Sequence, residues 1–333
     1  MMVVHSVGRD QNGITTEHRS FRDITEYLHS GDVLVMNNTR VSAVKLAGIK
    51  ETGGSVEVLV LSVVGRTATC LVRGKGLKQG TTLILGRAGI KVELVDKTPD
   101  GKYVLEFKMP DNSDLMTTLR SNGTVPLPPY IKSEFNDCER YQTVFSEKPG
   151  SAAAPTAGLH FTSPLLERIR AAGVETAFIT LHIGPGTFRP VTETMLETGR
   201  MEAEHYEIGE NAAAVISRAI EDGRRIVAVG TTTIRALESA ACRVNAGGGS
   251  HRTVRLKPAT GWTELFIRPG HIWRLPYSGM VTNFHLPRST LLMLVSAFAG
   301  RENILAAYKE AVERKYRFYS FGDAMLILKQ LSV

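Results

Sequence analysis

The chain has 333 residues, 43% of them hydrophobic, and its 40 Lys and Arg against 33 Asp and Glu give a net charge of +7 and a pI near 9.3. This length favours two domains with a large core. Cys70, Cys138 and Cys242 are too few and too far apart for a disulfide framework or a CxxC metal site, and they are typical of a reducing compartment.

The sequence shows neither a signal peptide nor a transmembrane segment. The first residues, MMVVHSVGRDQ, lack an apolar core, and the longest apolar stretch, residues 291–299, is far shorter than the roughly 20 residues that span a bilayer. We therefore expect a cytoplasmic protein. The small excess of positive charge is compatible with a polyanionic partner, although the sequence has no run of five or six like charges.

In the first half of the chain, one buried strand is followed by a series of short ones. The segment DVLVMNNTRV, residues 32–41, predicts a buried strand that ends in a polar turn. Short runs rich in β-branched residues then follow between residues 44 and 107, separated by Gly-rich turns, and they indicate a small antiparallel barrel or sandwich. The segment DLMTTLRSNG predicts a short helix that ends in a left-handed stop at Asn122 and Gly123.

In the second half, helices and strands alternate. Thr162 or Ser163 caps a helix with Pro164 in its first turn, and Ser289 caps a later one. Strands are predicted at VETAFITL, RRIVAVG, WTELFI and GMVTNF. The pattern predicts an α/β fold: a doubly wound, mainly parallel sheet with an inserted small antiparallel β-barrel domain. We expect residues 1–43 and 131–333 to form the α/β domain and residues 44–130 to form the barrel.

Three histidines stand beside Gly- and Pro-rich turns. His160 lies near the end of GSAAAPTAGLHF, His182 lies in LHIGPGTF and His285 lies in NFHLPRST. Such loops pack little and let a ligand approach the backbone, which favours a functional site over a purely structural role. Ligands of doubly wound sheets bind beyond the carboxyl ends of the strands, where His182, Thr231 and His285 are predicted to lie. HxH and HExxH spacings are absent from the sequence, so we expect no metal site.

Two further segments are suited to binding anions. GTTTIR, residues 230–235, places backbone amides, three hydroxyls and Arg235 at a helix start, where they form either an anion cradle or an ordinary cap. Arg40 follows a strand end and is suited to clamping a carboxylate or phosphate.

Other segments are suited to RNA. Arg73, Lys75 and Lys78 form a basic turn in the barrel, for which solvated charge is the first interpretation and contact with an RNA backbone the second. KYRFYSFGDAM, residues 315–325, interleaves aromatic side chains with cations and fits either base stacking or core packing.

Together, these motifs and several others resemble the S-adenosylmethionine:tRNA ribosyltransferase-isomerase family of queuosine biosynthesis. The resemblance covers nearly the whole chain in order, and it rests on NNTRV, VPLPPYI, RYQTVFSEKPGSAAAPTAGLHF, LHIGPGTFRPV, VGTTTIRALESA, GWTELFIRPG, TNFHLPRSTLLMLVSAFAG and YKEAVERKYRFYSFGDAM. It implies transfer of the ribosyl part of S-adenosylmethionine to the aminomethyl nitrogen of a 7-deazaguanine at the tRNA wobble position. The implied products are epoxyqueuosine-tRNA, adenine and methionine, and no metal or cofactor beyond the substrate S-adenosylmethionine is implied.

The sequence departs from the family pattern in two places. Family members usually begin with an extra segment containing a Ser-Arg-Leu stretch, which this chain lacks. After LHIGPGTFRPV the family usually shows His-x-Met-His-x-Glu; here Gly199 and Glu202 stand at the histidine positions, while Glu204 and the adjacent His205 remain.

The implied reaction needs a base at the carbon beside the sulfonium, a proton for the departing adenine and a neutral amine, and histidine suits all three tasks. The catalytic candidates are His160, His182, His285 and Glu204, with His205 as an alternative base. The substrate-binding candidates are Asn38, Arg40, Thr156, Gly158, Gly184, Gly186, Thr231, Thr232, Thr233, Arg235, Tyr319 and Asp323.

The expected partners are tRNA and S-adenosylmethionine, without DNA or a membrane, and we expect a monomer. Two alternatives stay open. One is a tRNA-binding protein that kept the scaffold without catalysis, although pure binding does not require the motif histidines. The other is a nucleotide-processing hydrolase, for which the sequence offers no metal or nucleophile motif.

Overall fold

A nine-stranded mixed sheet and a closed six-stranded barrel contain most of the strands of this computed structural model. The structure describes residues 1–6, 13–99, 101–109, 113–128, 130–131, 138–188, 190–244 and 255–329. Its strands are β1 (Met2–Ser6), β2 (Ile14–His18), β3 (Val33–Asn37), β4 (Thr39–Val41), β5 (Val44–Lys50), β6 (Ser55–Val64), β7 (Thr67–Arg73), β8 (Thr82–Leu85), β9 (Ile90–Lys97), β10 (Tyr103–Phe107), β11 (Lys148–Ser151), β12 (Glu175–Leu181), β13 (Arg200–Ile208), β14 (Ile226–Val229), β15 (Ala259–Leu265), β16 (Tyr277–Asn283) and β17 (Ala324–Lys329).

The helices follow the chain order in the same way. They are α1 (Leu115–Asn122), α2 (Ser163–Ala171), α3 (Glu193–Thr198), α4 (Glu210–Glu221), α5 (Thr231–Val244), α6 (Thr290–Ala299) and α7 (Arg301–Glu313), with short 3-10 turns at Phe21–Glu26, Cys138–Tyr141, Thr156–His160 and Pro185–Phe188. The predicted caps are confirmed, because the Thr162 hydroxyl accepts from Leu165 N and the Ser289 hydroxyl from Leu292 N.

The large sheet has parallel strands at its centre. Its order is β15-β13-β12-β3-β14-β16-β17-β1-β2. The neighbours β12, β3, β14 and β16 run parallel, while β13 and β15 on one side and β17 next to β16 on the other introduce antiparallel pairs. All residues of β3 and β14 are buried, as expected for central parallel strands that are covered on both faces.

Helices cover both faces of the sheet. Leu34 and Met36 of β3 belong to an apolar cluster that includes Leu166 and Ile169 of α2. Alternation along β3 turns Val33 and Val35 to the opposite face, where α4 and α5 contact the sheet. The prediction of an α/β fold with helices on both faces is confirmed, and the sheet itself is mixed.

The six-stranded barrel is antiparallel throughout, and its order is β10-β7-β6-β5-β8-β9. Leu115 and Leu119 of α1 pack into its core. The buried thiol of Cys70 lies in the same core, and burial raises its pKa to about 12. The predicted inserted barrel is therefore confirmed.

The described chain divides into two compact units. One contains Met1–Thr39, Thr143–Lys148 and Pro155–Val333, and the other contains Arg40–Gln142 and Pro149–Ala154. The large sheet belongs to the first unit and the barrel to the second.

The predicted left-handed stop after α1 is wrong. Gly123 caps the helix with an extended backbone, at φ −116° and ψ −174°. A side chain at this position would overlap Val44 Cγ1 and approach Lys45 O at 2.8 Å, so close packing against β5 explains the glycine.

Within the described residues, no single helix is both long and apolar enough to cross a membrane. The helices α6 and α7 reach that length and composition only when they are counted together, and their axes are bent by 113° relative to each other.

Candidate functional site

The carboxyl ends of four adjacent strands gather most of the polar residues that the motifs singled out. Because β12, β3, β14 and β16 are parallel neighbours, His182, Thr39, Thr231 and His285 follow them at one edge of the sheet. Three inter-strand spacings of about 4.8 Å give this edge a width of roughly 14 Å. We call it the carboxyl edge.

Asn37 ties the strand ends at the carboxyl edge together. Its amide nitrogen donates to Leu181 O at 3.0 Å and to Thr232 Oγ1 at 3.1 Å, while its Oδ1 accepts from Thr39 N and Leu181 N. The side chain is buried with all of these partners satisfied, so it fixes the ends of β3, β12 and α5 against one another. The neighbouring Asn38 accepts from the Thr180 hydroxyl at 2.7 Å and donates to Glu147 at 3.1 Å.

His182 lies between a hydroxyl and a second imidazole. Its Nδ1 is 2.7 Å from Thr39 Oγ1, and its ring stacks on His205 with centroids 5.8 Å apart. Burial, and then the adjacent His205, lower the pKa of His182, which favours the neutral ring. His205 in turn meets the edge of Trp262, which is 66% exposed.

Glu204 and Arg235 form a buried ion pair. Both side chains are 3% exposed, and Arg235 Nη1 donates to Glu204 Oε2 while Arg235 Nε donates to Leu265 O at 3.1 Å. Glu204 Oε1 also accepts from Gly184 N at 2.8 Å and from Thr187 Oγ1 at 2.5 Å. The structure thus gives Arg235 a protein carboxylate as its partner, whereas the anion-cradle interpretation of GTTTIR left this cation for a bound anion.

This ion pair organises the Gly-Pro-Gly turn after His182. Gly184 donates to Glu204, and Gly186 lies buried in the 3-10 turn Pro185–Phe188. The carboxylate of Glu204 therefore fixes the backbone of the turn that follows His182.

His160 lies at the end of the 3-10 turn Thr156–His160 and contacts the last residue of β16. Its Nε2 is 3.2 Å from Asn283 Nδ2, and its ring stacks on Phe21 at 5.0 Å with an interplanar angle of 29°. Burial lowers the pKa of His160 to about 4. In the same turn, a Cβ on Gly158 would lie 2.7 Å from Phe145 Cζ, so this turn packs too closely for a side chain there. Thr156 begins the turn.

His285 is held by two partners. Its Nε2 lies 2.7 Å from Thr282 Oγ1, and its backbone N–H donates to the Tyr308 hydroxyl at 2.8 Å. Burial lowers the pKa of His285 to about 3, which keeps the ring neutral at physiological pH.

The start of α5 is buried at the carboxyl edge. Gly230 has φ +88° and donates to Val281 O at 2.8 Å, which ties the turn to β16. Thr231, Thr232 and Thr233 are all buried; the Thr233 hydroxyl donates to Val229 O at 2.6 Å.

Tyr319 and Asp323 belong to the loop before β17. Tyr319 has the left-handed value φ +75°, and its carbonyl accepts from Asn283 Nδ2 at 3.0 Å. Partial burial opposes ionisation of Asp323, but hydrogen bonds from Arg317 outweigh it and lower the pKa of this carboxyl. Asp323 is thus part of an ion pair within its own loop.

The remaining candidates belong to the second unit. Arg40 forms an ion pair with Glu139. Both line a cleft with a volume of about 130 Å³ that also includes Arg120 and Thr124. Arg73, Lys75 and Lys78 are exposed on the barrel.

In the described part of the chain, no group of three or more His, Cys, Asp or Glu side chains is arranged to hold a metal ion. The absence of a metal cofactor stays a prediction.

Sequence reasoning missed several residues of the carboxyl edge. The sequence pattern identifies Asn37 and Thr39 only as part of a polar turn, and Asn283 only as the end of a strand. Their hydrogen bonds to distant segments are invisible in a local pattern, although a buried polar residue at the end of an apolar strand is a usable signal. The pattern around Trp262 predicts only a strand and gives no sign of its contact with His205.

The fold is an α/β fold, and its carboxyl edge is of the kind at which doubly wound α/β proteins bind their ligands. A family model described as queuosine biosynthesis protein matches residues 1–327. The crystal structure of S-adenosylmethionine tRNA ribosyltransferase from Thermotoga maritima is 34% identical, and the match covers 98% of this chain and 92% of that one with a TM-score of 0.50. The chain belongs to the queuosine biosynthesis protein family, and its assignment as a transferase is confirmed.

Proposed function

We propose that this protein transfers and isomerises the ribosyl group of S-adenosylmethionine onto 7-aminomethyl-7-deazaguanine at the tRNA wobble position, giving epoxyqueuosine-tRNA, adenine and methionine. The observation that carries the proposal is the carboxyl edge, where His182, His285 and the buried start of α5 follow parallel strands of one sheet. Membership of the queuosine biosynthesis family and the likeness to a protein named S-adenosylmethionine tRNA ribosyltransferase support it.

His182 is the base in this proposal. A sulfonium acidifies the adjacent C5′ of the ribosyl group, so a neutral base must take a proton there. The lowered pKa of His182 keeps its ring unprotonated, and its Nδ1 is engaged by Thr39, which leaves Nε2 for the substrate. Of the three motif histidines, His285 is held by Thr282 and Tyr308, and His160 by Asn283.

Glu204 and Arg235 have a positioning role in this scheme. Arg235 holds the Glu204 carboxylate, which accepts from Gly184 N, so the buried pair shapes the Gly-Pro-Gly turn after His182. The start of α5 remains the candidate for the methionine carboxylate, since its first amides face the carboxyl edge.

The test is incubation with S-adenosylmethionine and tRNA that carries the aminomethyl base, followed by chromatography for adenine. We expect adenine only when both substrates are present. No adenine release with retained tRNA binding would support a non-catalytic tRNA-binding protein, and release from S-adenosylmethionine alone would indicate a hydrolase.

The proposed steps are proton transfers and displacements, which require no metal ion. Dialysis against a chelator should therefore leave the rate of adenine release unchanged. A loss of activity that added divalent metal restores would contradict this part of the proposal.

A further inference from the structure

The side chain of Asn283 lies among three hydrogen-bond acceptors. Its Nδ2 is 3.0 Å from Tyr319 O, 3.3 Å from Ser320 O and 3.2 Å from His160 Nε2. Asn283 is the last residue of β16 and is buried, and Tyr319 and Ser320 belong to the loop before β17. One side-chain amide thus connects a central strand, that loop and a motif histidine.

The two carbonyls determine which way this amide faces. Tyr319 O and Ser320 O can only accept, so the atom of Asn283 that faces them must be the nitrogen. Among the described residues, Asn283 Oδ1 is buried without a hydrogen-bond partner. Turning the amide over would place this oxygen against two carbonyl oxygens, so the observed orientation is the stable one even though it leaves an acceptor unpaired.

The orientation of Asn283 in turn determines the protonation of His160. An amide N–H only donates, and one of the two hydrogens on Nδ2 points to His160 while the other serves the carbonyls. His160 Nε2 must therefore present a lone pair, and in the neutral ring the proton resides on Nδ1.

The surroundings of His160 favour the same state. Phe21 stacks on the ring and limits its rotation. An imidazolium would direct an Nε2–H at the Asn283 amide hydrogens, and burial also disfavours the charged ring. The charged groups that act on His160 from the loop before β17, Arg317 and Asp323, have opposite effects and are paired with each other.

We propose that Asn283 is a positioning residue that holds His160 as the neutral Nδ1–H tautomer, so that His160 offers the substrate a hydrogen-bond donor and not a base. What this donor meets rests on the proposed function: it faces an acceptor atom on which negative charge develops, such as a ring nitrogen of the departing adenine. A neutral donor in a buried site stabilises such charge without transferring its own proton.

The direct test is long-range ¹H–¹⁵N correlation NMR on the uniformly ¹⁵N-labelled full chain at pH 7, with His160→Gln used to assign the signals. We expect a protonated Nδ1 and an unprotonated Nε2. An Nε2–H tautomer or an imidazolium overturns the proposal. This readout needs no substrate and no substituted chain beyond the assignment.

Variants of Asn283 test the consequence for catalysis. Asn283→Ala removes the donor, and we expect Nε2–H to appear in the spectrum and kcat for adenine release to fall about tenfold with little change in KM. Asn283→Asp supplies an acceptor, and we expect it to raise the pKa of His160. The matched control is Asn303→Ala, whose amide donates to Ala299 O at 2.9 Å within α6 and α7, and it should change neither readout.

The outcomes separate this inference from the proposed function. If His160 has the expected tautomer but no adenine is released, the inference about Asn283 holds and the proposed function is wrong. If adenine is released and His160 carries its proton on Nε2, the proposed function holds and the inference about Asn283 is wrong. A spectrum that stays unchanged in folded Asn283→Ala would also overturn the inference, and if that variant does not fold, the native spectrum decides.

Discussion

At the scale of single residues, Arg235 looks suited to binding a ligand, but it forms a buried ion pair with Glu204 that stabilises the fold. Each side chain is 3% exposed, and each also bonds a backbone group of a different segment. Removing one partner would leave the other charged and buried, which is far more costly than losing a surface ion pair.

We expect Arg235→Ala to lower the free energy of unfolding by about 3–5 kcal/mol, because the Glu204 carboxylate loses its partner. Urea denaturation measures this loss. Arg200→Ala is the matched control: its 3.4 Å pair with Glu264 is exposed, so the change should be at most about 1 kcal/mol. Unchanged stability in Arg235→Ala, together with a raised KM for S-adenosylmethionine, would support the anion-cradle interpretation of GTTTIR instead.

His285 predicts a dependence of stability on pH. Burial lowers its pKa from about 6.5 to about 3, so between these values the unfolded chain binds a proton that the folded chain does not. This contribution is fully present above pH 6.5 and is lost as pH falls through that value towards 3.

We therefore expect His285→Gln to reduce the loss of stability between pH 6.5 and 4 relative to the native chain. Melting temperatures over that range measure it, and substitution of the exposed His29 by Gln serves as the control for loss of a histidine. Parallel profiles for the native chain and His285→Gln would show that this ring protonates freely in the folded state.

At the scale of elements, the turn Thr156–His160 is defined by how closely it packs. A Cβ at Gly158 would lie 2.7 Å from Phe145 Cζ and 2.8 Å from Thr143 Cγ2, both shorter than ordinary contacts. Phe145 packs against the core of the large sheet, so the added methyl must displace the turn and with it His160.

Gly158→Ala should accordingly cost about 1–3 kcal/mol of stability and lower the turnover of the protein that remains folded. Thermal melts combined with adenine release per folded molecule test this. Gly209→Ala, where a side chain meets open space at φ −73°, should cost about 1 kcal/mol or less and leave turnover unchanged. Full turnover in folded Gly158→Ala would mean that the position of His160 tolerates the shift.

Elements with strong local signals were predictable from the sequence, and those that depend on partners were not. The apolar runs of β3 and β14 predict buried strands. The residue types at Thr162 and Ser289 predict the starts of helices. β13 was missed, because its charged residues hide the alternation and its pairing with β12 and β15 supplies the stability.

The candidate site divides in the same way. The alternation of strands and helices predicts that His182 and His285 come after strand ends. Ligands of doubly wound sheets bind at the edge where these strand ends lie, so the sequence also predicts that both histidines are near the site. The partners of those residues did not follow, because Glu204 lies 31 residues from Arg235 and Asn283 lies 123 residues from His160. Only packing selects which polar groups at the end of a strand meet each other.

At the scale of the whole molecule, the net charge of +7 bears on the proposed tRNA substrate. Arg73, Lys75 and Lys78 are exposed on the barrel. Contacts between such side chains and phosphates release counterions, which makes affinity depend on salt.

We expect tRNA affinity to fall steeply with salt. The double substitution of Lys75 and Lys78 by Ala should make the slope of log K against log salt shallower by about 1.4 to 1.8, since each lost phosphate contact contributes roughly 0.7–0.9. The rate at saturating tRNA should stay unchanged. The same substitution of Lys257 and Lys309, two exposed lysines of the other unit, removes equal charge and serves as the control. If both double variants change the slope equally, total charge attracts the tRNA. If the slope is unchanged in the variant that lacks Lys75 and Lys78, these two side chains do not contact the tRNA backbone.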